Sequence, residues 1–153
     1  MRRLGVLGVA VVPVALVAAG CGSSSSPKAA PATTGTGVTV VSTKHDGKLG
    51  TILADRKGLT LYTLTSGGRP VPCTGSCLTV WPPLEVPAGT TPSGVPGLGT
   101  APAPAPDGSQ LVTFQGKPLY RFAKDTDGGD TYGQGVNSFG GVWTAQQVAP
   151  TSS

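Results

Sequence analysis

The chain has 153 residues, a formal net charge of +4, 12% charged and 5% aromatic side chains, and 24 Gly and 15 Pro. That length leaves room for one small core, and so much Gly and Pro excludes a bundle of long helices. The Lys and Arg residues are scattered without a run or a helical stripe, so nucleic-acid binding has no electrostatic footprint here.

The first twenty residues read as a signal. Met1-Arg2-Arg3 is basic, and Leu4 to Val17 is an uncharged run too short for the roughly 20 apolar residues of a transmembrane helix. Leu16-Val17-Ala18-Ala19-Gly20-Cys21 then delivers a cysteine just after small residues, the pattern of a bacterial lipoprotein signal. Cleavage before Cys21 and lipidation of its thiol, with palmitate-type chains at about 0.8 kcal/mol per buried methylene, would hold the protein on the extracytoplasmic face of the cell membrane. Ala18 stands where such signals more usually carry Leu, so plain secretory cleavage after Ala19 or Gly20 is the alternative. Loss of Arg2 and Arg3 leaves nine Lys or Arg against seven Asp or Glu, a net charge of about +2. Residues 21–37 are rich in Ser, Pro, Ala, Thr and Gly and lack large apolar side chains, which predicts a disordered tether.

Residues 38–150 are expected to form a single all-β domain of two similar halves, about 49–86 and 109–148, joined by a Pro/Gly/Ala linker over 87–108. Val38 to Ser42 offers a leading strand. In the first half, Thr51-Ile52-Leu53-Ala54, the turn Asp55-Arg56-Lys57-Gly58 and the alternating Leu59-Thr60-Leu61-Tyr62-Thr63-Leu64 read as a hairpin. The second half repeats it, with Leu111-Val112-Thr113-Phe114, Gln115-Gly116-Lys117 and Pro118-Leu119-Tyr120-Arg121-Phe122. Pro118 has no N–H for a ladder and belongs at the start or edge of its strand. Trp81 follows Tyr62 by 19 residues and Trp143 follows Tyr120 by 23, so an indole closes each half. Two copies are too few for a solenoid and predict one antiparallel β domain with pseudo-twofold character. In the linker, Ala101-Pro-Ala-Pro-Ala-Pro106 favours polyproline geometry. Pro82-Pro83 limits any helix around Cys77 to one or two turns.

These residues resemble a bacterial secreted-repeat lipoprotein family of unknown function, whose hallmark is Tyr-x-aromatic-x-x-Asp. Tyr120-Arg121-Phe122-Ala123-Lys124-Asp125 matches that motif, and Gly129 to Val136, Gly140-Gly141-Val142-Trp143 and Cys73-Thr74-Gly75-Ser76-Cys77 leading to Trp81-Pro82-Pro83 are similar to the family as well. The first half departs from it, with Leu64 and Gly67 where the aromatic residue and the aspartate belong. The resemblance implies an exported, often lipid-anchored β-rich domain and supplies no activity, cofactor or substrate.

Cys73 and Cys77 are the strongest local chemical signal. In an exported protein, five residues containing a glycine permit a structural disulfide, and the alternative is a redox-active or copper-handling thiol pair. A soft-metal site usually recruits a nearby His or Met, and His45, the only histidine, lies far upstream. Asp125, Asp127 and Asp130 suggest either a calcium loop or an ordinary polar turn; the twelfth position of an EF-hand counted from Asp125 is Val136, which favours the turn. Tyr62, Tyr120, Phe122, Trp81 and Trp143 could line a ligand groove, but in a domain so poor in aromatic residues core packing claims them first. No nucleophile elbow, Ser-His or Cys-His arrangement or phosphate loop is present, so no enzyme activity, cofactor or metal is expected. The expected role is a membrane-anchored, non-enzymatic binding or structural module of the cell envelope, with a ligand or protein partner that the residues do not name.

Overall fold

The computed structural model describes residues 37–149, so the signal, Cys21 and nearly all of the tether lie outside the described residues. Within them, twelve short strands and one helical turn follow one another. They are β1 (Val38–Thr39), β2 (Val41–Asp46), β3 (Gly50–Asp55), β4 (Tyr62–Ser66), β5 (Arg69–Pro70), α1 (Ser76–Val80), β6 (Glu85–Val86), β7 (Pro92–Ser93), β8 (Leu98–Pro102), β9 (Gln110–Phe114), β10 (Lys117–Pro118), β11 (Asn137–Ser138) and β12 (Gly141–Ala145). The all-β expectation is met, and the short helix falls beside Cys77 as expected.

Both expected hairpin pairings form, but the first is brief. Leu61 N–H donates to the Leu53 carbonyl at 3.0 Å, and Leu119 N–H to the Val112 carbonyl at 2.9 Å. Beyond that contact β3 takes β2 as its main partner, with Val41 opposite Asp55, while β4 takes β12, with Leu64 opposite Trp143. The leading strand therefore runs on to Asp46, because pairing with β3 uses all six of its residues.

The segment expected to be a linker also carries structure. β7 pairs in parallel with β1, and β8 pairs with β9 from Leu98↔Phe114 to Pro102↔Gln110. Ala101 and Pro102 thus close a ladder rather than continue a polyproline helix. Pro102 is tolerated because it is the last residue of the strand, where its missing N–H interrupts nothing. Pro118 likewise sits in the two-residue edge strand β10, as expected.

The halves are intertwined by their closing segments. Leu84, just after Trp81, donates to the Leu119 carbonyl at 2.9 Å and accepts from Val112 N–H at 2.8 Å. Gln146, just after Trp143, donates to the Leu61 carbonyl at 3.0 Å and accepts from Leu53 N–H at 2.8 Å. Each half thereby completes the other half's hairpin. At the centre, Tyr62 and Tyr120 exchange both backbone hydrogen bonds, at 2.8 and 2.9 Å. This reciprocal pair lies where the pseudo-twofold relation places its axis.

Two apolar clusters result. One gathers Val40, Val41, Leu53, Leu61, Leu84, Val86, Val112, Phe114 and Leu119. The other gathers Tyr62, Leu64, Trp81, Tyr120, Phe122, Trp143 and Ala145 around the two cysteines. Strand alternation explains the division: Leu61 and Tyr62, like Leu119 and Tyr120, are neighbours in sequence and point to opposite faces. Each Leu-Tyr pair therefore serves both clusters.

Candidate functional site

The aromatic residues pack as core, in an arrangement that follows the repeat. Trp81 and Trp143 stack with ring centroids 3.7 Å apart and an interplanar angle of 4°. Each is met edge-on by the tyrosine of its own half, Tyr62 on Trp81 at 5.5 Å and Tyr120 on Trp143 at 5.3 Å. Phe122 stacks on the outer face of Trp81 at 4.3 Å. Leu64 occupies the corresponding place in the first half, so the stack has three rings rather than four. Gly133 is required here: a β-carbon at that position would lie 2.8 Å from both Trp81 and Tyr62.

Asp125, the aspartate of the motif, is buried and reaches across the repeat. Its Oδ2 accepts from the Tyr62 hydroxyl at 2.6 Å and its Oδ1 from Tyr132 N–H at 3.1 Å. The carboxylate serves the tyrosine of the first half, not its sequence neighbour Tyr120. Burial raises the pKa of Asp125 against the lowering pull of these two donors. Burial, followed by the Asp125 carboxylate, pushes the Tyr62 hydroxyl upward as well. The pair is a buried structural link between the two halves.

The rest of the Asp-rich loop is an ordinary polar turn. Asp130 Oδ2 accepts from Thr126 N–H at 2.8 Å and Asp127 N–H at 3.1 Å, and Asp127 Oδ1 accepts from Gly129 N–H at 2.7 Å. The two bonds to Asp130 hold its carboxyl below the usual carboxylate range. The cation beside the loop is the protein's own: Lys44 Nζ donates to the carbonyls of Gly58 at 3.1 Å and Gly128 at 2.5 Å. Sequence reasoning missed this role, since Lys44 lies 84 residues from Gly128. Among the described residues no three His, Cys, Asp or Glu side chains converge as metal ligands.

Asp55 and Arg121 form the ion pair among the described residues, at 2.6 Å, with Asp55 buried and Arg121 partly exposed. The other Asp55 oxygen accepts from Lys57 and Leu59 N–H and so shapes the first turn. The pair thereby ties the turn of one half to the segment just after Tyr120 in the other.

Cys73 and Cys77 are joined, with sulfurs 1.98 Å and Cα atoms 5.4 Å apart, and both residues are buried. The bridge closes the loop that leads into α1 and packs against the aromatic cluster. One wall of an apolar groove of about 410 Å³ runs along it. Pro70, Pro72, Pro102, Pro104 and Pro118 line that groove together with Cys73, Leu111 and Tyr120, and its lining includes no charged residue. Burial raises the Tyr120 hydroxyl, and the Cys73 backbone beside it opposes that shift. The groove was invisible in the sequence because two of its walls, 70–74 and 101–104, lie far apart in the chain, the second within the expected linker.

Two smaller concavities are charged. One, of about 330 Å³, includes Glu85 and Asp107; burial, followed by Asp107, raises the pKa of Glu85. The other, of about 320 Å³, contains the Asp55–Arg121 pair.

Comparison with known proteins agrees with the second half of the repeat. A family described as a secreted repeat of unknown function matches residues 103–146, which include Tyr120, Phe122 and Asp125. The match supports an extracytoplasmic location. No curated protein and no solved structure matches the chain.

Proposed function

We propose that the protein is an exported, lipid-anchored, non-enzymatic binding module of the cell envelope. One observation carries this reading: the buried carboxylates and the cysteine pair are held by partners within the fold, while an uncharged groove is left open. Asp125 holds Tyr62, Asp55 holds Arg121 and its own turn, and the cysteines hold each other. None of these groups is left to abstract a proton or attack a substrate. A β scaffold with an apolar cleft suits capture rather than turnover. The burial of both sulfurs favours a brace over the redox or copper reading, because reducible and metal-receptive sulfurs need access.

Intact-mass measurement of the protein extracted from its native membrane tests the anchor. The expected result is loss of residues 1–20 and addition of acyl mass at Cys21, with Cys21→Ser released in soluble form. An unmodified mature chain would overturn anchoring. Turnover of a substrate, lost in a point variant that keeps its fold, would overturn the non-enzymatic reading.

A further inference from the structure

The concavity of about 320 Å³ that holds the Asp55–Arg121 pair lies at the seam of the repeat, apart from the uncharged groove. The turn residues Asp55, Arg56 and Lys57 of the first half line it together with Arg121 of the second, and the buried Val40 and Leu84 add apolar surface. Its size falls at the lower end of the roughly 300–1,000 Å³ range of small-molecule sites.

The polar lining is uneven. Asp55 is 2% exposed and fully engaged, its Oδ1 accepting from Lys57 and Leu59 N–H at 2.8 and 3.0 Å and its Oδ2 from Arg121 Nε at 2.6 Å. Arg121 also donates from Nη1 to the Pro83 carbonyl at 3.3 Å, so its guanidinium is held from two sides and Nη2 stays without a partner among the described residues. Arg56 and Lys57 are exposed, and neither is ion-paired among the described residues, where the salt bridge is Arg121 to Asp55. Since Asp55 and Arg121 neutralise each other, two cations face the one remaining carboxylate of the lining, Glu85. Asp107 lines the neighbouring concavity instead. Donors from three separate cationic side chains call for a ligand with at least three acceptor oxygens. A phosphate group has them and a carboxylate has two. A guanidinium edge also matches phosphate geometry.

We infer that this concavity binds the phosphate group of a small phosphate monoester, its oxygens meeting Arg56, Lys57 and the free edge of Arg121. The rest of the ester lies against Val40 and Leu84. Glu85 opposes the anion and sets a limit on its affinity.

Calorimetric titration of the soluble Cys21→Ser chain with inorganic phosphate at low ionic strength tests this. The expected result is saturable one-to-one binding, with acetate at least tenfold weaker. Arg56→Ser combined with Lys57→Ser is expected to weaken phosphate at least tenfold, and Glu85→Gln to tighten it several-fold. These variants leave the Asp55–Arg121 pair in place, and an unchanged circular dichroism spectrum separates lost binding from lost fold. Absence of phosphate binding, equal binding of acetate, or unchanged affinity in the double serine variant would overturn the proposal. Vesicles of phosphatidylcholine with and without phosphatidic acid distinguish the sources. Phosphate-displaceable binding to the phosphatidic acid vesicles alone supports a lipid headgroup, and phosphate binding without vesicle binding supports a soluble ester. Failure of the proposal leaves the uncharged groove and the binding-module reading untouched, since they rest on other residues.

Discussion

The two halves of the domain share a backbone plan and differ in how they hold their tyrosines. The bonds Leu61 to Leu53, Leu53 to Gln146 and Gln146 to Leu61 have counterparts in Leu119 to Val112, Val112 to Leu84 and Leu84 to Leu119. Side chains break that symmetry. In the second half Phe122 extends the indole stack and Asp125 reaches over to Tyr62; in the first, Leu64 and Gly67 stand in those places and the Cys73–Cys77 loop lies beside Tyr120. Even the indoles differ: Trp143 donates to Ser138 at 3.2 Å, while buried Trp81 has no partner among the described residues. Each half supplies the group that sits at the other half's tyrosine. Folding either half alone would leave an open hairpin and an unsupported ring, so cooperativity is built into the connectivity.

The largest effect on this comparison comes from removing an indole. Trp81→Ala and Trp143→Ala are each expected to cost about 3–5 kcal/mol, read as a fall in the urea midpoint. Equal losses would show that the stack acts as a unit. Tyr62→Phe comes next at about 1–3 kcal/mol, because it leaves the buried Asp125 oxygen without its donor. Tyr120→Phe is expected to cost less, since no carboxylate is stranded; the reverse order would refute the asymmetry. Replacing Cys73 and Cys77 by serine is expected to cost about 2 kcal/mol for so short a loop, with the secondary structure retained in circular dichroism.

The pH dependence is subtler. The folded state raises Asp125 above its ordinary pKa, so it holds that proton more tightly than the unfolded chain does. The resulting stabilisation is complete below the unfolded value of about 3.9 and is lost as pH rises through the folded value. Melting temperatures of wild type minus Asp125→Asn should therefore fall across that window as pH rises, and a flat or rising difference would contradict the buried acid. The smallest effect is expected from calcium. With Asp125, Asp127 and Asp130 occupied by N–H and O–H donors, calcium and chelator should give the same melting temperature.

Much of the fold is legible because local signals and global contacts agree. Alternation at Leu59 to Leu64 leads into β4, whereas the strand expected over Pro118 to Phe122 ends at Pro118 and continues only as the isolated bridges of Tyr120 to Tyr62 and Pro83; the recurring Leu-Tyr and Trp positions mark the repeat. The site is less legible. Asp125 stands out in its motif, but its partner lies 63 residues away in the other half, and nothing in the motif points to Tyr62 rather than Tyr120. Lys44 and Arg121 carry no signal at all, since an isolated cation looks the same in sequence whether it faces water or closes a distant loop.

Composition and spacings of a few residues suffice for the extracytoplasmic address, the β class, the existence of two copies and the cysteine pair. Three features emerge only when the chain is folded: the copies exchange their closing segments, 87–108 includes strands, and five prolines from three separate segments face one groove. Pairing between strands is settled by which apolar faces are buried together. That depends on the whole chain at once, not on any window along it.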